Sequence, residues 1–322
     1  MSGYGKETTT DEALSGMDLS GKHVVITGAS GGLGEESARA LASKGALITM
    51  AARSAEKNAA AKERILEAVP GAALETRTVD LASLASVRAF AKDFLADHDR
   101  IDVLINNAGV MACPFGHTAD GFEMQLGTNH IGHFLLTGQL DSALGKGSRV
   151  VALSSGAHGM ADVDYDDPHF ERRDYHSWIA YGQSKTANAL FALELDRRLR
   201  ARGAAAYSVH PGMIMTELGR HFTENTMSEM AEMRAQRARD HGGDEDAPME
   251  FKPIEAGAAT QVWAAVAPEL DAHGGAYLAN CSVGVPGGDI SQSGVALYAR
   301  DAESAARLWA LSEEWVGEAA FA

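Results

Sequence analysis

Cysteine is nearly absent: the 322-residue chain has two, Cys113 and Cys281. That leaves no basis for a disulfide framework and fits a reducing, cytoplasmic compartment. Long apolar runs are also missing, and none approaches the ~18 residues that a membrane span needs. Residues 1–18 are polar and acidic where a secretory signal carries an apolar stretch. Neither a membrane partner nor export is expected. Basic charge is scarce: 28 Lys and Arg face 44 Asp and Glu, a net charge of −16. A nucleic-acid partner is therefore not expected, because that class presents a basic face. Metal-site spacing is missing too. Neither HExxH nor paired CxxC occurs, and His130 and His133 have no third ligand at zinc spacing. No metal is expected, and the two histidines read as satisfied helix residues.

What is there is ordinary globular composition, 45% hydrophobic and 22% charged. Short β-like runs at 23–27, 46–52, 73–79, 102–106, 149–153 and 204–210 alternate with helical segments at 33–44, 55–69, 83–98, 118–142 and 178–202. Alternation at this spacing predicts βαβ units with right-handed crossovers, hence an α/β fold with a single Rossmann-type doubly wound parallel sheet. Residues 1–20 read as a polar arm, packed over the surface or frayed, and 21–322 as one catalytic domain. Within it, 213–253 reads as a lid insertion. That segment is rich in Met, Glu and Arg, and a connection this long is unusual unless functional. Its methionines Met213, Met215, Met227, Met230 and Met233 suit either an adaptable apolar pocket or plain lid packing.

The first strand runs into Thr27-Gly28-Ala29-Ser30-Gly31-Gly32-Leu33-Gly34, and a helix follows at once. Gly28 permits a tight turn. Gly32 and Gly34 allow backbone to approach a pyrophosphate and the helix to pack on the strand. The helix start then offers free N–H groups to phosphate oxygens. The second strand ends Ala51-Ala52-Arg53. An acid there would hold the adenosine ribose and favour NAD(H); instead Arg53 is placed to pair with a 2′-phosphate, so NADP(H) is the cofactor expected.

Tyr181 and Lys185 lie four apart near the start of a long helix, on one face. An ammonium beside a phenol lowers its pKa and makes an acid/base usable near neutrality. Together with Asp80-Leu81, Asn106-Asn-Ala-Gly109, Asn129, Ser154-Ser155 and His210-Pro-Gly212, these motifs appear in an order that resembles the short-chain dehydrogenase/reductase family from about residue 19 to 278. The stretches 129–134, 153–158 and 207–212 resemble its retinol-dehydrogenase-like branch, in a form without the apolar N-terminal anchor of many animal members.

The resemblance implies an alcohol dehydrogenase or carbonyl reductase acting on a small lipophilic molecule. Tyr181 would be the general acid or base and Ser155 would orient the carbonyl oxygen. Lys185 would bind the nicotinamide ribose and depress the Tyr181 pKa. Asn129 would hold the water through which Lys185 reaches solvent. Gly28, Ser30, Gly31, Gly32, Leu33, Gly34, Arg53, Asp80, Leu81, Asn107, Ala108, Gly109, Pro211, Gly212 and Thr216 would hold the cofactor. Asp80 reads equally as the cap of the helix that follows, Asn107 as a strand stitch, and Thr216 as a cap. His158 and His176 flank the site in sequence and are candidates for substrate contact. A C=C reductase on the same scaffold is a second reading. A catalytically silent NADP-binding sensor is a third, disfavoured by the intact Tyr181 and Lys185. The extension at 280–322 departs from the family pattern and argues against the family's common tetramer, leaving a homodimer as the assembly to test.

Overall fold

A computed structural model describes residues 3–241 and 250–321. β1 (His23–Thr27), β2 (Leu47–Ala52), β4 (Ile101–Asn106) and β6 (Ala205–His210) are short apolar runs with few exposed residues. That is the pattern of parallel strands covered on both faces. With β3 (Leu74–Thr78), β5 (Leu144–Leu153), β7 (Tyr277–Ala279) and β8 (Ser282–Val283) they form one sheet in the order β3-β2-β1-β4-β5-β6-β7-β8. Every pairing is parallel except β7 with β8. The order reverses between β1 and β4, so a crevice opens beyond their carboxyl ends, where doubly wound sheets bind ligands.

Helices cover both faces. On one side α4 (Leu84–Asp97), α6 (Gly132–Gln139), α7 (Ser177–Leu199) and α10 (Ala302–Val316) bury Phe94, Phe134, Phe191 and Trp309 against β4 and β5. On the other, α2 (Gly32–Ala42), α3 (Ala55–Ala68) and α9 (Ile254–Val266) bury Leu41, Ile65 and Val262 against β1 and β2. No helix among the described residues is long and apolar enough to cross a membrane.

Four expectations need correction. The arm is not frayed: Thr9 caps a short helix, α1 (Thr10–Ala13), and Ala13, Leu14 and Leu19 enter the core beside α9. The helix expected at 118–142 begins six residues later, at α5 (Met124–Leu126). Gly121 turns the chain at φ +89, and the buried Glu123 carboxylate accepts the Gln125 and Leu126 N–H groups, which fixes the start there. A π-turn, Gly127–Ile131, then joins α5 to α6. Finally, β5 starts five residues before the expected 149, because its polar Gly-Lys-Gly-Ser entry hid it. The expected insertion contains α8 (Glu224–His241) and closes at its neck, where the Lys252 N–H donates to Met213 O at 2.8 Å. Residues 242–249 of it lie outside the described residues.

Candidate active site

The glycine turn leaves β1 with Gly28 at φ +67, where an added Cβ would lie 2.9 Å from Ala108 Cα. At Gly34 an added Cβ would collide with Gly28 O and the Asn107 amide. These two glycines are therefore needed to seat α2 on the sheet. Gly31 differs: its backbone is extended, it gives α2 no side-chain cap, and an added Cβ there meets nothing within 4 Å. Open space beside uncapped helix N–H groups fits the phosphates of a dinucleotide. Gly32 has φ +54, and an added Cβ there would lie 3.2 Å from the Thr216 side chain. Thr216 lies beside the turn, and its hydroxyl accepts the Leu218 N–H at 3.3 Å as the cap of the 3-10 turn that follows. Ser30 and Leu33 flank the turn, half-buried.

Arg53 stands exposed at the end of β2 and makes no hydrogen bond or ion pair among the described residues. Asp80 is half-buried; one of its oxygens accepts the Ala82 N–H at 3.0 Å, and the cap of α4 is Ser83 instead. Leu81 is buried, its carbonyl pressed against Gly132 of α6. Asn107 stitches strands: its amide donates to Thr27 O at 2.7 Å. Ala108 and Gly109 carry the backbone across the crevice, and Pro211-Gly212 closes it from β6, with Gly212 at φ +98.

α7 brings Tyr181 and Lys185 onto one face, both buried. The Lys185 ammonium lies 5.5 Å from the Tyr181 ring centroid and donates to Leu153 O at 3.0 Å. Ser155, at the end of β5, shares a hydrogen bond with the Tyr181 hydroxyl. Its own oxygen also accepts the Ala157 N–H at 3.1 Å. The expected direction of the Tyr181 shift is reversed here. Burial pushes its phenol up to about 12, and only the Ser155 bond pulls it down. Burial also pulls Lys185 down to about 7. In each case burial disfavours the charged form, because water is excluded from it.

Asn129 sits in the π-turn, buried. A Cβ at Gly109 would lie 3.0 Å from Asn129 Oδ1 and 3.7 Å from Lys185 Nζ, so both side chains converge on Gly109. Asn129 is fully engaged within the protein. Its amide donates to Val110 O and Ser184 Oγ and accepts the Val110 N–H, while its carbonyl accepts from His133 Nδ1 at 2.9 Å.

α8 lies over this face. Met230, with Met227, Met233 and Phe222 beside it, packs in one apolar cluster with Trp178 and Tyr181. The Trp178 indole donates to Thr226 O at 2.8 Å. Met215, by contrast, is 67% exposed and faces away.

Several residues that hold the site escaped the sequence reading. Thr27 accepts the Asn107 and Ala108 N–H groups at 2.9 and 3.0 Å and donates to His133 Nε2 at 2.8 Å. One hydroxyl thus ties β1, the β4 loop and α6. His210 Nδ1 accepts the N–H groups of Gly156 and Gly212. His158, a candidate for substrate contact, is instead fully buried. A buried imidazole has no signature in one sequence; only its polar partners reveal its role. His130 and His133 are buried and neutral, pulled by burial to about 3 and about 4. Away from the cleft, His23, Glu75 and His98 bring three donor atoms within 4.8 Å of one another. Those atoms already bond to each other and to Thr49.

Comparison with known proteins agrees with this geometry. Residues 22–227 match a family model described as short chain dehydrogenase. A probable oxidoreductase of Streptomyces lividans is 41% identical over 300 residues, which is 91% of this chain and 97% of that one. Human retinol dehydrogenase 13 is 39% identical over 308 residues, 93% of this chain and 86% of that one. A solved structure of an uncharacterised protein from Mycobacterium paratuberculosis is similar with a TM-score of 0.71 at 35% identity, covering 95% and 97% of the two chains. A short chain dehydrogenase from Burkholderia cenocepacia in complex with NADP shares the fold, with a TM-score of 0.63 at 24% identity, over 82% and 97%.

Proposed function

The chain belongs to the short-chain dehydrogenase family, on its retinol-dehydrogenase-like branch, and is a hydride-transferring oxidoreductase; from that premise we propose that it uses NADP(H) to interconvert a carbonyl and an alcohol on a lipophilic small molecule. The observation that carries the cofactor assignment is Arg53. It is exposed, without a partner among the described residues, and preceded by Ala52 where a ribose-binding carboxylate would stand. A guanidinium there offers a planar fork to a 2′-phosphate. The bound nicotinamide supplies or accepts the hydride. In reduction, Tyr181 Oη gives its proton to the carbonyl oxygen as the C=O bond becomes C–O–H, and tyrosinate remains. Ser155 orients that oxygen and hydrogen-bonds the tyrosinate. Lys185 gains a proton more readily once the phenolate forms beside it, so its charge follows the reaction. The methionines and Trp178 over Tyr181 support an apolar substrate, and we read 213–253 as the lid that keeps water from it. The two cysteines, both buried and neither in a disulfide, support a cytoplasmic setting. We also propose a homodimer, since α10 occupies the outer face of α7 within one chain. A light-scattering mass of two chains supports this, and a tetramer contradicts it.

The cofactor assignment is tested by kcat/KM for NADPH and NADH in the parent and in Ala52→Asp. A bidentate contact at about 1.5–3 kcal/mol per charged hydrogen bond predicts a preference for NADPH of about tenfold to a few hundredfold. Ala52→Asp should reverse it, because the new carboxylate accepts from a free ribose diol and repels the phosphate. A parent that uses NADH equally well overturns the assignment.

A further inference from the structure

His158 follows Ser155 by three residues in a 3-10 turn and is 0% exposed. Its ring bridges two distant parts of the chain. Nε2 accepts the Ala296 N–H at 3.0 Å, so Nδ1 carries the proton, and Nδ1 lies 2.6 Å from the Ser155 carbonyl oxygen. The Tyr277 hydroxyl approaches Nδ1 at 3.2 Å, and the two rings pack at 4.9 Å between centroids. The His158 backbone is held as well. Its carbonyl accepts the Tyr298 hydroxyl at 2.6 Å and the Thr186 hydroxyl at 3.1 Å, and its N–H donates to Ser155 O at 3.0 Å. Ala296 and Tyr298 belong to the extension that departs from the family pattern. Ile290 of the same extension lies 3.7 Å from where a Gly156 Cβ would be. The turn that presents Ser155 is thus fastened from behind by the C-terminal segment, through the His158 imidazole and the Tyr298 hydroxyl.

We propose that His158 is a positioning residue for Ser155, through which the seating of the C-terminal extension sets the alignment of the catalytic hydroxyl. The ring acts on the Ser155 carbonyl, which fixes the backbone from which the hydroxyl projects. The proposal rests on the reading of Ser155 as the residue that orients the carbonyl oxygen. Its consequence is that the extension, remote in sequence, is part of the catalytic apparatus. A misplacement on the order of 1 Å in such a group costs about a hundredfold in rate.

The test compares the parent with His158→Ala, His158→Asn and His158→Gln, all saturated with NADPH, with nonanal as the carbonyl probe. Hydrogen exchange over residues 153–161 is measured alongside kcat, KM and the NADPH Kd. Asn places an amide N–H near the position of Nδ1 and keeps the bond to Ser155 O; Gln places its amide near Nε2 and keeps only the bond to Ala296. In His158→Ala, exchange over the turn should quicken about tenfold. Its kcat should fall on the order of ten- to a hundredfold, with Kd for NADPH within about threefold of the parent. Asn should restore most of the lost kcat and Gln should not. Should the Ala variant fail to fold, Tyr298→Phe, which removes one hydroxyl from the His158 carbonyl, should show the same pattern at several-fold size. Unchanged exchange over the turn overturns the proposal, as does an equal loss of kcat in Asn and Gln, the mark of a purely structural role. A parent inert to nonanal whose Ala variant still exchanges faster would count against the carbonyl reading alone and support the seating of Ser155 by His158.

Discussion

Tyr181 and Lys185 carry opposite signs of strain from the same cause. Burial lifts the phenol to about 12 and lowers the ammonium to about 7. For Lys185 the folded value lies below the ordinary 10.5, so the folded state holds the proton less tightly than the unfolded chain. Stability lost to this group is therefore nil well above pH 10.5, grows as pH falls toward 7, and is constant below that. Lys185→Met should accordingly melt higher than the parent at pH 6–7, and the gap should narrow steadily as pH rises toward 10.5. Thermal melts of both proteins at pH 6, 8 and 10 check this, and a gap that widens with rising pH contradicts it. The Leu153 carbonyl that Lys185 leaves keeps its bond from the Asn188 amide at 2.8 Å, so the variant orphans no backbone oxygen. At this scale the sequence was most informative about residues whose chemistry shows in their spacing. Tyr181 and Lys185, four apart, could be read directly. The direction of their shifts could not, because burial depends on what packs above them. The roles of Thr27, His158 and His210 were not legible for a related reason: each holds backbone groups that are remote in sequence.

Glycines in one motif serve different elements. Gly34 lets α2 lie against β1, and an added Cβ meets backbone that cannot yield. Gly34→Ala should lower stability by about 1–3 kcal/mol or prevent folding, read from urea unfolding. Gly31→Ala should leave the melting temperature within a degree or two and weaken NADPH binding, since an added Cβ there meets no protein atom within 4 Å and stands beside the uncapped start of α2. Equal losses of stability in the two variants would contradict this division. The insertion allows a test at the same scale. α8, a mostly polar helix, buries Met230 against Trp178 and Tyr181. If it closes over substrate, limited proteolysis within 213–241 should slow when NADPH and an aldehyde are both present. Cleavage that ignores both ligands counts against a lid. The sequence located most of the alternating strands and helices to within two or three residues because their apolar periods are clean, the polar entry of β5 being the exception. It missed the π-turn and the delayed start of α5, where a capping carboxylate and a positive-φ glycine override a continuous helical pattern.

Across the whole molecule, the extension turns a Rossmann-type sheet into a fold whose last helix closes one face. Trp309 of α10 packs edge-on to Phe134 at 4.9 Å and stacks on Phe191 at 5.9 Å, beneath the Arg198 guanidinium. Trp309→Ala should cost about 3–5 kcal/mol, measured as a loss in unfolding free energy. A cost below about 1 kcal/mol would mean that α10 is not integral to the core. The extension's presence was legible in the sequence as a departure from the family pattern. Its two tasks, covering α7 and bracing the Ser155 turn, arise from contacts more than a hundred residues apart and had no local trace. The account as a whole depends on proton transfer at Tyr181 beside a bound nicotinamide. It is tested most directly by the rate of NADPH oxidation with an aldehyde in the parent and in Tyr181→Phe, at matched cofactor occupancy. The account predicts unchanged NADPH binding and a loss in kcat of about 10²–10⁴; activity within a few-fold of the parent would contradict it.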